Sequence, residues 1–160
     1  MSWFKKKRFK TVEELAAYCK TPKKLGSWMT GWSGIKYVSD KTQYGHREYF
    51  ASPAETLSSM KGDCEDYAWL AMDTLHAMGV EEAYVISVRS DSHVRHGVCA
   101  FYYGGDWYHM SNWGLWKCRK ALVLKDVPRY VYKNWIGWTE YIVSEGKLTP
   151  VKQHWKSLEE

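Results

Sequence analysis

Apolar positions along the chain change their period as it proceeds. Between Thr11 and Lys20 they fall on one side of a helix, at Val12, Leu15, Ala16 and Cys19, with Thr11 as N-cap and Glu14 as its capping-box partner. Residues 21–52 show no steady period, because glycines at 26, 31, 34 and 45 interrupt aromatic positions; a structured loop region is expected there, with one short strand near Ile35 to Val38. Ser52-Pro53-Ala54-Glu55 is a helix start, with a cap, a proline at the first helical position and an acid in the first turn, and Gly62 is the expected stop. The next helix is the clearest element: Asp63 caps it, and Cys64, Ala68, Ala71, Leu75 and Met78 form a single stripe ending at Gly79. After Gly79 the period becomes two. Strands are expected over 83–89, 95–103 and 106–112, the last two joined at Gly104-Gly105, with one or two more between Leu122 and Val143. Helices followed by a meander of strands predict an α+β fold.

The chain has 160 residues, and its 45% hydrophobic and 26% charged content is that of a folded domain. A single domain over 1–160 is expected, with a basic extension over 1–10 and a polar tail over about 147–160. Of the 23 lysines and arginines, Lys5, Lys6, Lys7, Arg8 and Lys10 lie in the first ten positions, so most of the net charge of +5 is local. Lysines clustered at the ends and not interleaved with tryptophans argue against nucleic-acid binding. Neither a signal peptide nor an apolar run long enough for a membrane span is evident, so no membrane partner is expected. The four cysteines, Cys19, Cys64, Cys99 and Cys118, have no CxxC spacing, so reduced thiols in a cytoplasm are the default. Aromatic residues are in excess, with 10 Trp, 12 Tyr and 4 Phe. More large flat side chains than one small core requires predicts that some line a groove.

Cys64 opens the best-defined helix, where unpaired N–H groups and the macrodipole favour a thiolate. A cysteine nucleophile needs a base, and the base needs an orienting group. His96 lies early in a predicted strand, on the face of Val98, Ala100 and Tyr102, and the small Ala100 predicts close approach of the Cys64 helix to that face. The following strand offers Asn112 or Ser111 as orienter; strand parity leaves the choice open, with Asn112 taken first because an amide holds a histidine tautomer better than a hydroxyl. His109 shares parity with Ser111, although a surface histidine is the simpler reading. A zinc site from His93, His96 and Cys99 is disfavoured, since a spacing of three reverses faces in a strand.

Gly62-Asp63-Cys64-Glu65-Asp66-Tyr67-Ala68, then His96-Gly97-Val98 in a strand, then a Trp107-led strand ending in a polar residue, resembles the transglutaminase-like cysteine peptidase superfamily. The similarity is greatest to its bacterial transglutaminase-like cysteine proteinases and small phage relatives. Ser52-Pro53-x-Glu55-Thr56-Leu57 fits as well, so the resemblance runs from about Val12 to Asn112. It implies a papain-like α+β core with a nucleophile helix packed on an antiparallel sheet, with Cys64 as nucleophile and His96 as general base. The implied activity is hydrolysis of an amide or peptide bond through a thioester, with a peptide or protein as substrate. An amine acceptor would make the protein a transglutaminase instead. A cell-wall peptidase is a related alternative, and a degenerate peptide- or glycan-binding module is the non-enzymatic one.

This sequence departs from the family pattern in two places. The third member is usually Asp, where Ser111 stands, followed by Asn112. No upstream Gln occupies the place expected for an oxyanion-hole donor; Gln43 is the only glutamine before Cys64, whose own N–H remains as one donor. Asp63, Glu65 and Asp66 also place negative charge beside a thiol that must ionise. No cofactor is required by the chemistry, but a bound Ca²⁺ would relieve that charge, suits carboxylate ligands, and is used by some members of the proteinase family. Trp69, Trp107, Trp113 and Trp116 are the candidate walls of a substrate groove beside Cys64; turns or short helical pieces are expected around Trp113 and Trp116.

Overall fold

Among the described residues, three N-terminal helices start where a side chain can satisfy backbone donors that no helical carbonyl reaches. The computed structural model describes residues 8–39 and 49–159; Lys5–Lys7 of the basic extension and Gln43 lie outside the described residues. Helix α1 (Val12–Cys19) is capped by Thr11, which accepts from the Glu14 N–H at 3.1 Å. Helix α2 (Pro22–Thr30) occupies the first part of the expected loop region. Thr21 accepts from the Lys24 N–H at 3.2 Å and Pro22 supplies a preset first turn. Gly26, which hid this helix in the sequence, brings it onto the sheet: a Cβ there would lie 3.2 Å from Leu115 Cβ. Helix α3 (Pro53–Ser59) carries a complete Ser52–Glu55 capping box and stops at Met60, before the expected Gly62. Strands β1 (Lys36–Tyr37) and β2 (Lys61–Gly62) then pair in parallel.

Helix α4 (Cys64–Ala77) leads into a six-stranded antiparallel sheet. Its strands are β3 (Ala83–Ser90), β4 (Arg95–Tyr103), β5 (Asp106–Ser111), β6 (Gly114–Cys118), β7 (Trp135–Ser144) and β8 (Lys147–Trp155), in the spatial order β6-β5-β4-β3-β7-β8. The α+β expectation therefore holds, and a helix beginning at Cys64 does pack on an antiparallel sheet. Edge strand β6 stands where turns were expected around Trp113 and Trp116, and edge strand β8 runs through the segment read as a polar tail. The stretch 122–143 gives one strand, preceded by a 3-10 turn (Leu124–Asp126) and a short helix α5 (Pro128–Val131).

The sheet buries both faces. Cys99 and Phe101 pack with α1, α2 and α4 in one core, whereas Val98 and Ala100 pack with Trp135, Trp138 and Val131 in a second. Helix α4 thus covers the face opposite that of Ala100, contrary to the expected approach. Gly97 is the point of contact, since a Cβ there would lie 3.0 Å from Glu65 Cγ. Among the described residues no helix is long and apolar enough to cross a membrane.

Candidate active site

Asp63 accepts from the Asp66 N–H at 3.2 Å while Asp66 accepts from the Asp63 N–H at 3.0 Å, a reciprocal capping box that fixes where α4 begins. Cys64 is therefore held in the first turn. Its thiol donates to Glu65 Oε2 at 2.9 Å and its sulfur accepts the N–H of Gly97 at 3.4 Å. Helix and strand meet here at the residue that follows His96. Burial, then the Glu65 carboxylate, pushes the Cys64 pKa well above the ordinary thiol range, and the Gly97 N–H only partly opposes this. The conflict between helix end and acidic neighbours is resolved toward a neutral thiol.

His96 is buried, and its Nε2 lies 3.0 Å from Ser111 Oγ. Ser111, fully buried, also accepts the Trp113 N–H at 3.0 Å. Ser111, and not Asn112, is therefore the side chain bonded to the His96 ring. Strand β5 ends at Ser111 and the chain turns, leaving Asn112 Oδ1 buried without a hydrogen-bond partner. Trp113 stacks on the His96 ring with centroids 3.5 Å apart and planes inclined by 15°. Burial, then the neighbouring His109, lowers the His96 pKa to about 3. His109 is buried on the same face, not on the surface.

A family model described as a transglutaminase-like domain matches residues 10–115. The chain belongs to the transglutaminase-like family. No curated protein sequence matches it. Among solved structures it is similar to LapG of Legionella pneumophila. A calcium-bound form is 18% identical over 89% of this chain and 76% of that one, with a TM-score of 0.55. A second LapG structure is 17% identical over 92% and 77% of the respective chains, with a TM-score of 0.56, and an EGTA-treated form gives 16%, 92%, 78% and 0.55. The likeness is one of fold.

Within this transglutaminase-like domain the four candidate tryptophans separate. Trp113 lies on His96, and half-exposed Trp116 donates from Nε1 to the Trp113 carbonyl at 3.1 Å, so these two remain beside the site. Trp69 does not: it faces the core between α4 and the other helices and is buried. Trp107 sits opposite Tyr102, six residues beyond His96 and roughly 20 Å away at ~3.3 Å per residue. One residue at the site was absent from the sequence reading. Tyr132, just after α5, packs edge-on against Trp113 with centroids 5.8 Å apart, and burial, then the charge of an ionised Cys64, raises its phenol pKa.

The calcium expectation can be compared with the donor set. Both oxygens of Asp66 are taken by backbone N–H groups, Oδ1 by Ala51 at 2.8 Å and Oδ2 by Asp63; Asp63 Oδ1 holds the Asp66 N–H, and Glu65 is turned to the thiol. Each oxygen that accepts one hydrogen bond keeps a second lone pair, so a calcium ion stays compatible with Asp63, Glu65 and Asp66, although as arranged they do not converge on a metal position. Among the described residues no group of three or more His, Cys, Asp or Glu side chains is placed to hold a metal, the His93, His96 and Cys99 set included.

Proposed function

We propose that the protein is a cysteine hydrolase that cleaves an amide bond in a peptide or protein. The observation that carries this reading is the juxtaposition of Cys64 on the Gly97 N–H with His96 on Ser111. Because Ser111 engages Nε2, Nδ1 is the ring nitrogen left to receive the thiol proton. Ser111 Oγ already accepts one N–H from Trp113 and has a second lone pair for an Nε2–H, which leaves Nδ1 basic. The proton moves from Cys64 to His96 as sulfur bonds to the substrate carbonyl carbon. The tetrahedral intermediate expels the amine, which takes that proton from His96, leaving a thioester. Water, losing a proton to His96, then attacks the thioester carbonyl; the C–S bond breaks, the acyl group leaves as a carboxylic acid, and the sulfur takes the proton back from His96.

The N–H of Cys64 supplies one donor to the developing oxyanion, and we assign the Tyr132 hydroxyl as a second. Both Cys64 and His96 are neutral at rest, so proton transfer accompanies attack and does not precede it. The four free cysteines support placing this chemistry in a reducing compartment such as the cytoplasm.

A binding module of the same fold is the second reading, and the uncharged serine behind His96 favours it. Incubation with a mixed peptide library, read by mass spectrometry for new termini, separates the readings. Cleavage lost in Cys64→Ala supports hydrolysis. Incorporation of an added primary amine identifies a transglutaminase, release of peptide from peptidoglycan a cell-wall peptidase, and intact peptides that nevertheless bind a module.

A further inference from the structure

A cavity of about 280 Å³ lies on the sheet face that carries His96, toward the far end of β4. Its walls are the rings of Tyr84, Tyr102 and Trp107 and the side chains of Glu82 and Glu140, with Leu122 at its rim. Register explains why these residues meet. Tyr102 is opposite Trp107 across the β4–β5 pair, Ile86 is opposite Glu140 across β3–β7, and Tyr84 is two residues from Ile86 on the same face. The Tyr84 and Trp107 rings are stacked at 6.4 Å, and Tyr102 is tilted against Trp107 at 5.6 Å. Tyr84 and Tyr102 are 37% and 40% exposed, so both present ring surface at the opening.

The charge is the informative part. In a chain of net charge +5, the charged residues lining this cavity are two carboxylates; Glu140 is bonded to His154 at 2.8 Å and lies opposite Lys152, so exposed Glu82 is the carboxylate left to meet a ligand. Burial, and then Glu82 and Glu140, raise the Tyr84 phenol pKa. Aromatic faces and carboxylates both attract a cation, and a cation held by both need not surrender its hydration to either alone. The volume is at the small end for a ligand pocket, where about 300 Å³ is usual at minimum, and suits one long side chain. A neutral sugar would use the rings but leave the Glu82 carboxylate without a countercharge.

We propose that this cavity is a docking site for a lysine or arginine side chain of a partner polypeptide. The site does not depend on whether Cys64 is a nucleophile. Using Cys64→Ala protein removes cleavage from the measurement. The probes are acetyl-Gly-Gly-Lys-Gly-Gly-amide, its arginine counterpart, the same peptide with acetylated lysine, and chitotriose, each titrated into ¹⁵N-labelled protein. Both basic peptides are expected to shift the Trp107 indole and the Tyr84 and Tyr102 amides saturably, with the acetylated peptide at least fivefold weaker. Glu82→Gln, an exposed substitution, and Tyr102→Ala are each expected to weaken binding at least threefold. Should Tyr102→Ala fail to fold, Glu82→Gln carries the test. The proposal is overturned by no saturable shift, by shifts centred elsewhere, by equal binding of the acetylated peptide, by unchanged binding to Glu82→Gln, or by chitotriose saturating these signals instead.

Discussion

His96 Nε2 and Ser111 Oγ lie 3.0 Å apart, both buried, so that among the described residues a hydroxyl and not a carboxylate stands behind the imidazole. A hydroxyl can hold the ring but cannot offset the charge that the ring acquires when it takes a proton. Ser111→Asp supplies that charge and is expected to raise the His96 pKa from about 3, read from the ring signals by NMR. It should also extend the activity to higher rates near neutral pH. Ser111→Ala removes the contact and should lower kcat/KM by about 10²-fold with little change in KM. An unchanged kcat/KM in Ser111→Ala would show that the serine does not position the base.

Glu65 accepts a hydrogen bond from the Cys64 thiol and adds to its raised pKa. Removing the negative charge favours the thiolate, so Glu65→Gln should move the midpoint of Cys64 alkylation by iodoacetamide to lower pH. A midpoint moving upward, or not at all, would mean that Glu65 does not act on the thiol.

Gly97 lets α4 approach β4 closely enough for the sulfur to receive a backbone N–H. Gly97→Ala forces apart groups that a Cβ would bring to 3.0 Å, and should cost ~1–3 kcal/mol on denaturant unfolding while also slowing turnover. The same stability with full activity would remove this close approach from the account.

Two buried histidines make the fold acid-sensitive. Burial lowers His96 to about 3 and His109 to about 4. In the unfolded chain both take up protons as pH falls through about 6.5. Between that value and about 4 the unfolded state therefore holds more protons, and stability is lost as pH falls, by about 1.4 kcal/mol per pH unit for each extra proton. His109→Gln should flatten the decline in unfolding free energy over this window; an undiminished slope would assign it to other groups.

The carboxylates around Cys64 are committed to the capping box, to the Ala51 N–H and to the thiol. Calcium at millimolar concentration can still use the remaining lone pairs and should raise Tm, reversibly with EGTA. An unchanged Tm would show that these contacts exclude the ion.

Local signals carried most of what the sequence revealed. Asp63 and Ser52-Pro53 announced their helices because caps are short-range bonds written into adjacent residues, and the GDCEDYA motif with His96-Gly97 marked the two central side chains. Thr21-Pro22 gave the same kind of signal for α2 but was masked by Gly26, whose role is the approach to Leu115 and not a break. Strands β6 and β8 escaped notice because edge strands expose much of both faces, which blurs a period of two. The choice of Ser111 over Asn112 depends on the Cys99–Met110 register and on where β5 ends, neither of which is encoded locally. Tyr132 comes from a distant segment and had no motif to announce it.

The central claim is that Cys64 becomes acylated by substrate with His96 taking its proton. It is tested most directly by mixing the protein with a p-nitrophenyl ester of an N-acylated peptide, quenching in acid, and locating the acyl group by mass spectrometry. The account predicts a thioester on Cys64, absent in Cys64→Ala and formed at least 10²-fold more slowly in His96→Ala. Acylation at another residue, or equal rates with and without His96, would contradict it.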